Sequence, residues 1–130
     1  MRNRSLAIAA AASFFALLPI AALADAHGEI VTAMTHADLA SQAADINGVH
    51  MHMHHSLNCL VGTKGAGYDA KEMNPCANAG AGAIPDATDA AKKMAMQDAV
   101  KSLEAGVAES DVAKAKADAT AAAAKLKGLQ

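Results

Sequence analysis

The feature that most restricts the fold is a series of apolar residues at helical spacing in the middle of the chain. Thr35 to Asp38 resembles a capping box, which begins a helix, and Asn47-Gly48 offers a place for a kink or a break. The intervals within the series are three, four or seven residues, which fits one stripe of a helix. The series consists of Leu39, Ala43, Ile46, Met53, Leu57 and Leu60. We therefore predict a helix over 35–60.

The rest of the chain shows no alternation typical of strands and no internal repeat. A glycine-rich loop is predicted over 61–85, and Asp86 can cap a second helix over 86–106. A third, alanine-rich helix is predicted over 110–127, where lysines suit the negative end of the helix dipole. The expected fold is all-α: one domain over 35–130, a small hairpin or bundle of about three helices, preceded by an arm over 25–34.

The N-terminus is typical of a secretory signal peptide. Arg2 and Arg4 precede an apolar run that is broken by Pro19, and Ala22-Leu23-Ala24 is a small-residue cleavage site. We expect residues 1–24 to be removed and the mature protein to be periplasmic or secreted, with no membrane anchor.

The expected mature chain has few residues from which to build a core. Tyr68 is its only aromatic residue, and nine lysines stand against thirteen acids, which gives a net charge of −4 with histidine neutral. The absence of arginine and of a basic patch argues against nucleic-acid binding. Cys59 and Cys76 are expected to form a disulfide, as two cysteines in an exported chain usually do. The alternative is that Cys59 ligates a metal.

The strongest indication of function is a cluster of histidines and methionines. Four of the six histidines and two of the seven methionines stand in six consecutive positions. On a helix, His50 and His54 form one i,i+4 pair, and Met51 and His55 form another. On a strand, His50, His52 and His54 would share one face. Imidazole with thioether favours copper, then zinc or nickel. The candidate ligands are His50, Met51, His52, Met53, His54 and His55.

Cleavage after Ala24 would create a second candidate site at the new N-terminus. A terminal amine, two deprotonated amides and the imidazole of His27 can surround Cu(II) in a plane. Asp25-Ala26-His27 resembles the amino-terminal copper site of serum albumins over these three positions, which implies Cu(II) binding through Asp25 and His27. Cleavage after Ala26 would instead expose His27 as the first residue, as in half of a histidine brace, with His36 as a candidate further ligand.

No pattern of residues indicates an enzyme. The glycine-rich stretch 62–67 lacks the ending of a phosphate-binding loop, and no haem-attachment motif occurs. We therefore expect a copper carrier or buffer, using Cu(I) or Cu(II), that exchanges its ion with a partner protein. The alternative is a structural or interaction module that docks through its histidine-rich face.

Overall fold

The computed structural model describes residues 25–130, and within this range the protein is entirely helical apart from loops and turns. The prediction of an all-α fold is confirmed. The predicted signal peptide, residues 1–24, lies outside the described residues. The helices are α1 (Ala26–Gln42), α2 (Ile46–Val61), α3 (Ala83–Asp86), α4 (Ala90–Ala108) and α5 (Val112–Lys127).

The four long helices form an antiparallel bundle. Residues 43–45 connect α1 to α2, and residues 109–111 connect α4 to α5, so that each pair forms a hairpin. Helix α1 also packs against α5, and α2 against α4, which closes the bundle. Helix α3 lies in the long connection between the two hairpins. None of the helices within 25–130 is long and apolar enough to cross a membrane.

Aspartates define the start of all four long helices. The side chains of Asp25, Asp45, Asp89 and Asp111 each accept a hydrogen bond of 2.9 Å from the backbone N–H three residues later. Each carboxylate thereby satisfies an N–H group that has no partner inside the helix.

These caps divide the chain differently from the sequence-based prediction. The helix predicted over 35–60 is two helices that meet at 43–45, not at Asn47-Gly48, and the expected arm over 25–34 belongs to α1. Asp86 ends the short α3 instead of capping a long helix, and its carboxylate accepts from the backbone N–H of Ala81 at 2.7 Å. The bundle therefore has four long helices where about three were expected.

The core is built from small and unbranched side chains. Alanines fill much of the buried contact between α1 and α5, which lets these helices approach closely. Gly106 of α4 serves the same purpose against Met53 of α2, because a Cβ at this position would lie 2.8 Å from the Met53 sulfur. The largest apolar side chains that are fully buried are Ile30, Val49, Met53, Leu57, Leu60, Met96, Leu103 and Leu126.

The connection over residues 62–89 is held to the end of α2. The predicted disulfide between Cys59 and Cys76 is confirmed, with a Cα–Cα distance of 5.1 Å. Gly62 ends α2 with a φ of 68°, a conformation that side chains rarely adopt, and a Cβ there would collide with the carbonyl oxygen of Ala81. The bridge and this turn fold the connection back along the surface of α2.

Candidate metal centre

Three histidines from two helices meet at the contact between α1 and α2. His36 lies on α1, whereas His52 and His55 lie three residues apart on α2 and therefore share one face of that helix. Ala44 is in the centre of the short connection, and His36 and His52 are each eight residues away from it. The hairpin therefore brings these two residues opposite each other. We refer to His36, His52 and His55 as the histidine triad.

The geometry of the histidine triad is close to that of a metal site. One ring nitrogen from each residue lies within 4.8 Å of the other two. The Nδ1 atoms of His36 and His52 are 3.3 Å apart. Two nitrogens bound tetrahedrally to one ion, at about 2.0–2.1 Å each, would be about 3.3 Å apart. The nitrogen of His55, within 4.8 Å of the other two, is the candidate third ligand.

The surroundings of two triad residues, His36 and His55, favour the neutral form of the imidazole. Burial lowers the pKa of His36, and the neighbouring rings of His55 and His52 lower it further. Burial also lowers the pKa of His55, with His52 as the next cause, although the carboxylate of Glu72 acts in the opposite direction. A neutral imidazole has the lone pair that a metal ion needs. His36 and His55 are thus prepared for ligation at neutral pH.

Two carboxylates from the long connection lie beside the neighbouring histidines of α2. An oxygen of Glu72 is 3.6 Å from Nε2 of His55, and an oxygen of Asp69 is 3.7 Å from Nδ1 of His54. Both carboxylates belong to residues 68–76, which we call the carboxylate loop. Its position beside α2 gives the histidine-rich face an acidic border.

The other residues of the predicted cluster point elsewhere. Nε2 of His50 forms a hydrogen bond of 2.9 Å with the backbone carbonyl of Glu109, and His54 lies against Asp69. Met51 is 39% exposed, whereas Met53 is fully buried in the core. Of the four predicted histidine ligands in this stretch, His52 and His55 belong to the group of ring nitrogens that converges with His36.

The residues of the predicted N-terminal site lie at the start of α1. The carboxylate of Asp25 caps this helix, and its backbone N–H donates to the carbonyl of Ala79 at 3.2 Å. His27 is exposed in the first turn. In this arrangement the pair is separate from the histidine triad.

Comparisons with known proteins gave no match. No protein-family model, no curated protein and no solved structure is similar to this chain.

A cavity on another part of the bundle is separate from the triad. It has a volume of about 620 Å³ and lies between the long connection and α4, with Val61, Ile84 and Val100 in its walls. No histidine lines this cavity. The candidate metal centre is instead a shallow site on the surface of the α1–α2 hairpin.

Three contributors to the site were missed or underrated from the sequence. The sequence relates His36 only to His27, it gives no role to Glu72, and it does not indicate that Asn58, at the end of α2, hydrogen-bonds to the carboxylate loop. The spacing of His36 and His52 about the 43–45 connection would have paired them, had Asp45 been recognised as a helix cap. The carboxylate loop has no comparable sequence signal, because its position depends on tertiary hydrogen bonds.

Proposed function

We propose that this protein is an exported metal carrier or buffer that binds one transition-metal ion through His36, His52 and His55. The observation that supports this proposal is the convergence of three ring nitrogens within 4.8 Å. Three imidazole ligands leave one coordination position of a tetrahedral ion open. A partner protein can use that position to deliver or remove the ion.

Imidazole ligands favour copper as Cu(II) by the general order of divalent-ion affinities, whereas the tetrahedral spacing of His36 and His52 suits zinc, and nickel is the remaining alternative. Imidazole suits all three ions, whereas Cu(I) prefers softer ligands such as thioether. The triad itself consists of imidazoles, and Met53, one of the thioethers expected to serve Cu(I), is fully buried in the core. We therefore expect oxidised copper to bind more tightly at this site than reduced copper.

The test is a titration of the exported, processed protein with Cu(II), Zn(II), Ni(II) and Cu(I), monitored by calorimetry and competition with chelators. The triple variant His36→Ala/His52→Ala/His55→Ala should lose the site. The matched control is His27→Ala/His50→Ala/His54→Ala, which also removes three histidines but leaves the triad intact. Zn(II) gives the clearest comparison, because it does not need the N-terminal amides.

The result that would overturn the proposal is equal Zn(II) and Cu(II) binding by the triad variant and by the wild type. If the wild type binds none of the four ions, the alternative of a docking module with a histidine-rich face gains support. One observation favours that alternative. The Nδ1 atoms of His36 and His52 can form a hydrogen bond with each other without an ion.

Export is part of the proposal, and it has two supports. The first 24 residues have the pattern of a signal peptide, and the Cys59–Cys76 bridge is typical of an oxidising compartment. Analysis of metal content in protein recovered from the exported fraction would identify the physiological ion.

A further inference from the structure

We propose that Glu72 is a positioning residue of the metal site, and that Asn58 and the Cys59–Cys76 bridge hold it there. Glu72 would orient the ring of His55 through Nε2, so that Nδ1 is the atom that binds the ion. This inference rests on the proposed function, because it assigns a role around the same histidine triad.

The two ring nitrogens of His55 have different surroundings. Nε2 lies 3.6 Å from the carboxylate of Glu72, so a shift of a few tenths of an ångström gives a hydrogen bond from the ring N–H. Nδ1 is buried and has no hydrogen-bond partner among the described residues. A bound ion would supply the partner that this nitrogen lacks. His36 and His52 already turn their Nδ1 atoms toward each other.

The contact between Glu72 and His55 resembles the support that metal-binding histidines usually receive. A metal-binding histidine usually donates its other N–H to a carboxylate or carbonyl, which fixes the tautomer and increases the basicity of the ligand. Glu72 is the carboxylate in contact with a triad histidine. Since the contact places its acceptor at Nε2, it selects the tautomer of His55 with a lone pair on Nδ1.

Hydrogen bonds of Asn58 and the disulfide hold the segment that carries Glu72 in place. The fully buried side-chain amide of Asn58 donates to the carbonyl oxygens of Asp69, Glu72 and Met73, at 2.9, 3.3 and 3.1 Å. Its side-chain oxygen accepts from the backbone N–H of Asp69 at 2.9 Å. The next residue, Cys59, is bonded to Cys76 at the other end of the carboxylate loop. Two adjacent residues of α2 therefore anchor the loop one turn after His55.

Asp69 provides a matched control for Glu72. Both are carboxylates of the same loop, and each lies beside a histidine of α2, but His54 does not belong to the triad. A general effect of acidic charge near the site would appear in both variants. An effect that acts through the ring of His55 would appear only when Glu72 is changed.

The experiment measures Zn(II) affinity by chelator competition, and the visible spectrum of bound Co(II), for Glu72→Gln, Glu72→Ala and Asp69→Asn with the disulfide intact. Loss of a carboxylate that supports a histidine ligand typically lowers affinity 10- to 100-fold. We expect such a loss for Glu72→Ala, a smaller one for Glu72→Gln, and less than a threefold change for Asp69→Asn. The Co(II) spectrum should shift in the Glu72 variants alone.

A second arm tests the anchoring. Cys59→Ala/Cys76→Ala removes the bridge without leaving thiols that could themselves bind zinc. In this background Glu72→Ala should cost less affinity than in the bridged protein, since Glu72 is no longer held at His55. Circular dichroism first tests whether the unbridged protein is helical. If it is not, the Glu72 and Asp69 variants in the bridged protein decide the question alone.

Equal Zn(II) affinity of Glu72→Ala and the wild type would overturn the inference. A loss of Zn(II) affinity in Asp69→Asn as large as that in the Glu72 variants would also overturn it. The proposed function fails separately, if the wild type does not bind or if the triad variant binds as well as the wild type.

Discussion

Glu29 is the residue most at odds with its surroundings. Its side chain is fully buried in α1, where one carboxylate oxygen accepts from the backbone N–H of Gly82 at 3.0 Å. The other oxygen has no hydrogen-bond partner within residues 25–130. Burial raises its pKa to about 7, and the nearby carboxylates of Asp86 and Asp25 also raise it, against the effect of the Gly82 hydrogen bond. Around neutral pH, Glu29 is therefore only partly ionised.

This environment predicts a dependence of stability on pH. The pKa of Glu29 is about 7 in the folded protein and 4.5 in a model peptide, so between these values the folded state binds more protons than the unfolded one. The free energy of unfolding should therefore fall as pH rises from about 4.5 to 7, by about 3 kcal/mol in total. Urea unfolding at a series of pH values measures this slope. Glu29→Gln should remove it and should be more stable than wild type at pH 8.

The control for this prediction is Glu104→Gln, an exposed carboxylate on α4, which should leave the slope unchanged. His36 and His55 act in the opposite direction, because their lowered pKa values make stability fall as pH decreases below 6.5. The quantity to compare is therefore the difference between variant and wild type at each pH. A difference that does not change between pH 4.5 and 8 would show that folding does not raise the pKa of Glu29.

At the residue scale, the histidine run indicates where the candidate site lies on α2, but it does not identify the three residues that converge there. The i,i+4 pairs were expected to converge, whereas the structure brings together His52, His55 and His36. The difference arises from the face that α2 buries. Val49, Met53 and Leu57 point into the core, which directs His52 and His55 toward α1 and leaves His50 against the end of α4. Spacing along one helix does not show which neighbour that helix will face.

At the scale of the element, the α1–α2 hairpin determines the site. The apolar spacing was sufficient to predict helix on both sides of residue 44, but not the break itself. The stripe continues across the break, because Ala43 and Ile46 are both partly buried against the core. The signals that decide the break are local: Asp45 accepts from the N–H of Gly48 and so begins a new helix.

The first turn of α1 also determines whether the N-terminal Cu(II) site can form. If export leaves Asp25 as the first residue, its amine, the amides of Ala26 and His27 and the His27 ring can hold Cu(II) in one plane. The ion would compete with the helix, since Asp25 also caps α1. We expect Cu(II) to bind there, to release protons from the amides and to reduce the helicity of the first turn.

One additional residue before Asp25 tests this prediction, because it moves the amine out of reach of the plane. The visible absorption of the planar Cu(II) complex should disappear, whereas Zn(II) binding by the histidine triad should not change. Intact mass of the exported protein first establishes where the chain begins. A Cu(II) spectrum that is the same with and without the added residue would show that Asp25 and His27 do not form this site.

At the scale of the whole molecule, the bundle compensates for a core that lacks large side chains. No aromatic residue is fully buried within 25–130, and alanines occupy many of the buried positions. The prediction of a thin core supported by a disulfide follows from composition, and the bridge is present. The path of the long connection could not be predicted, because it depends on the hydrogen bonds of Asn58 and on the turn at Gly62.

The last prediction concerns the contribution of this bridge to the stability of the bundle. The sequence separation of Cys59 and Cys76 is 17, and closing a loop of this size in the unfolded chain stabilises a protein by about 3 kcal/mol. That is a large share of the roughly 5–15 kcal/mol typical of a small domain. The variant Cys59→Ala/Cys76→Ala should therefore unfold at a clearly lower urea concentration. The free energy of unfolding of this variant should also fall more steeply with urea concentration, because a less restricted unfolded chain exposes more surface. Loss of less than about 1 kcal/mol would contradict this prediction and would mean that the unfolded chain without the bridge retains structure that already restricts the loop. The control is Asn58→Ala in the bridged protein, which removes its side-chain hydrogen bonds to the carboxylate loop and leaves the loop closed.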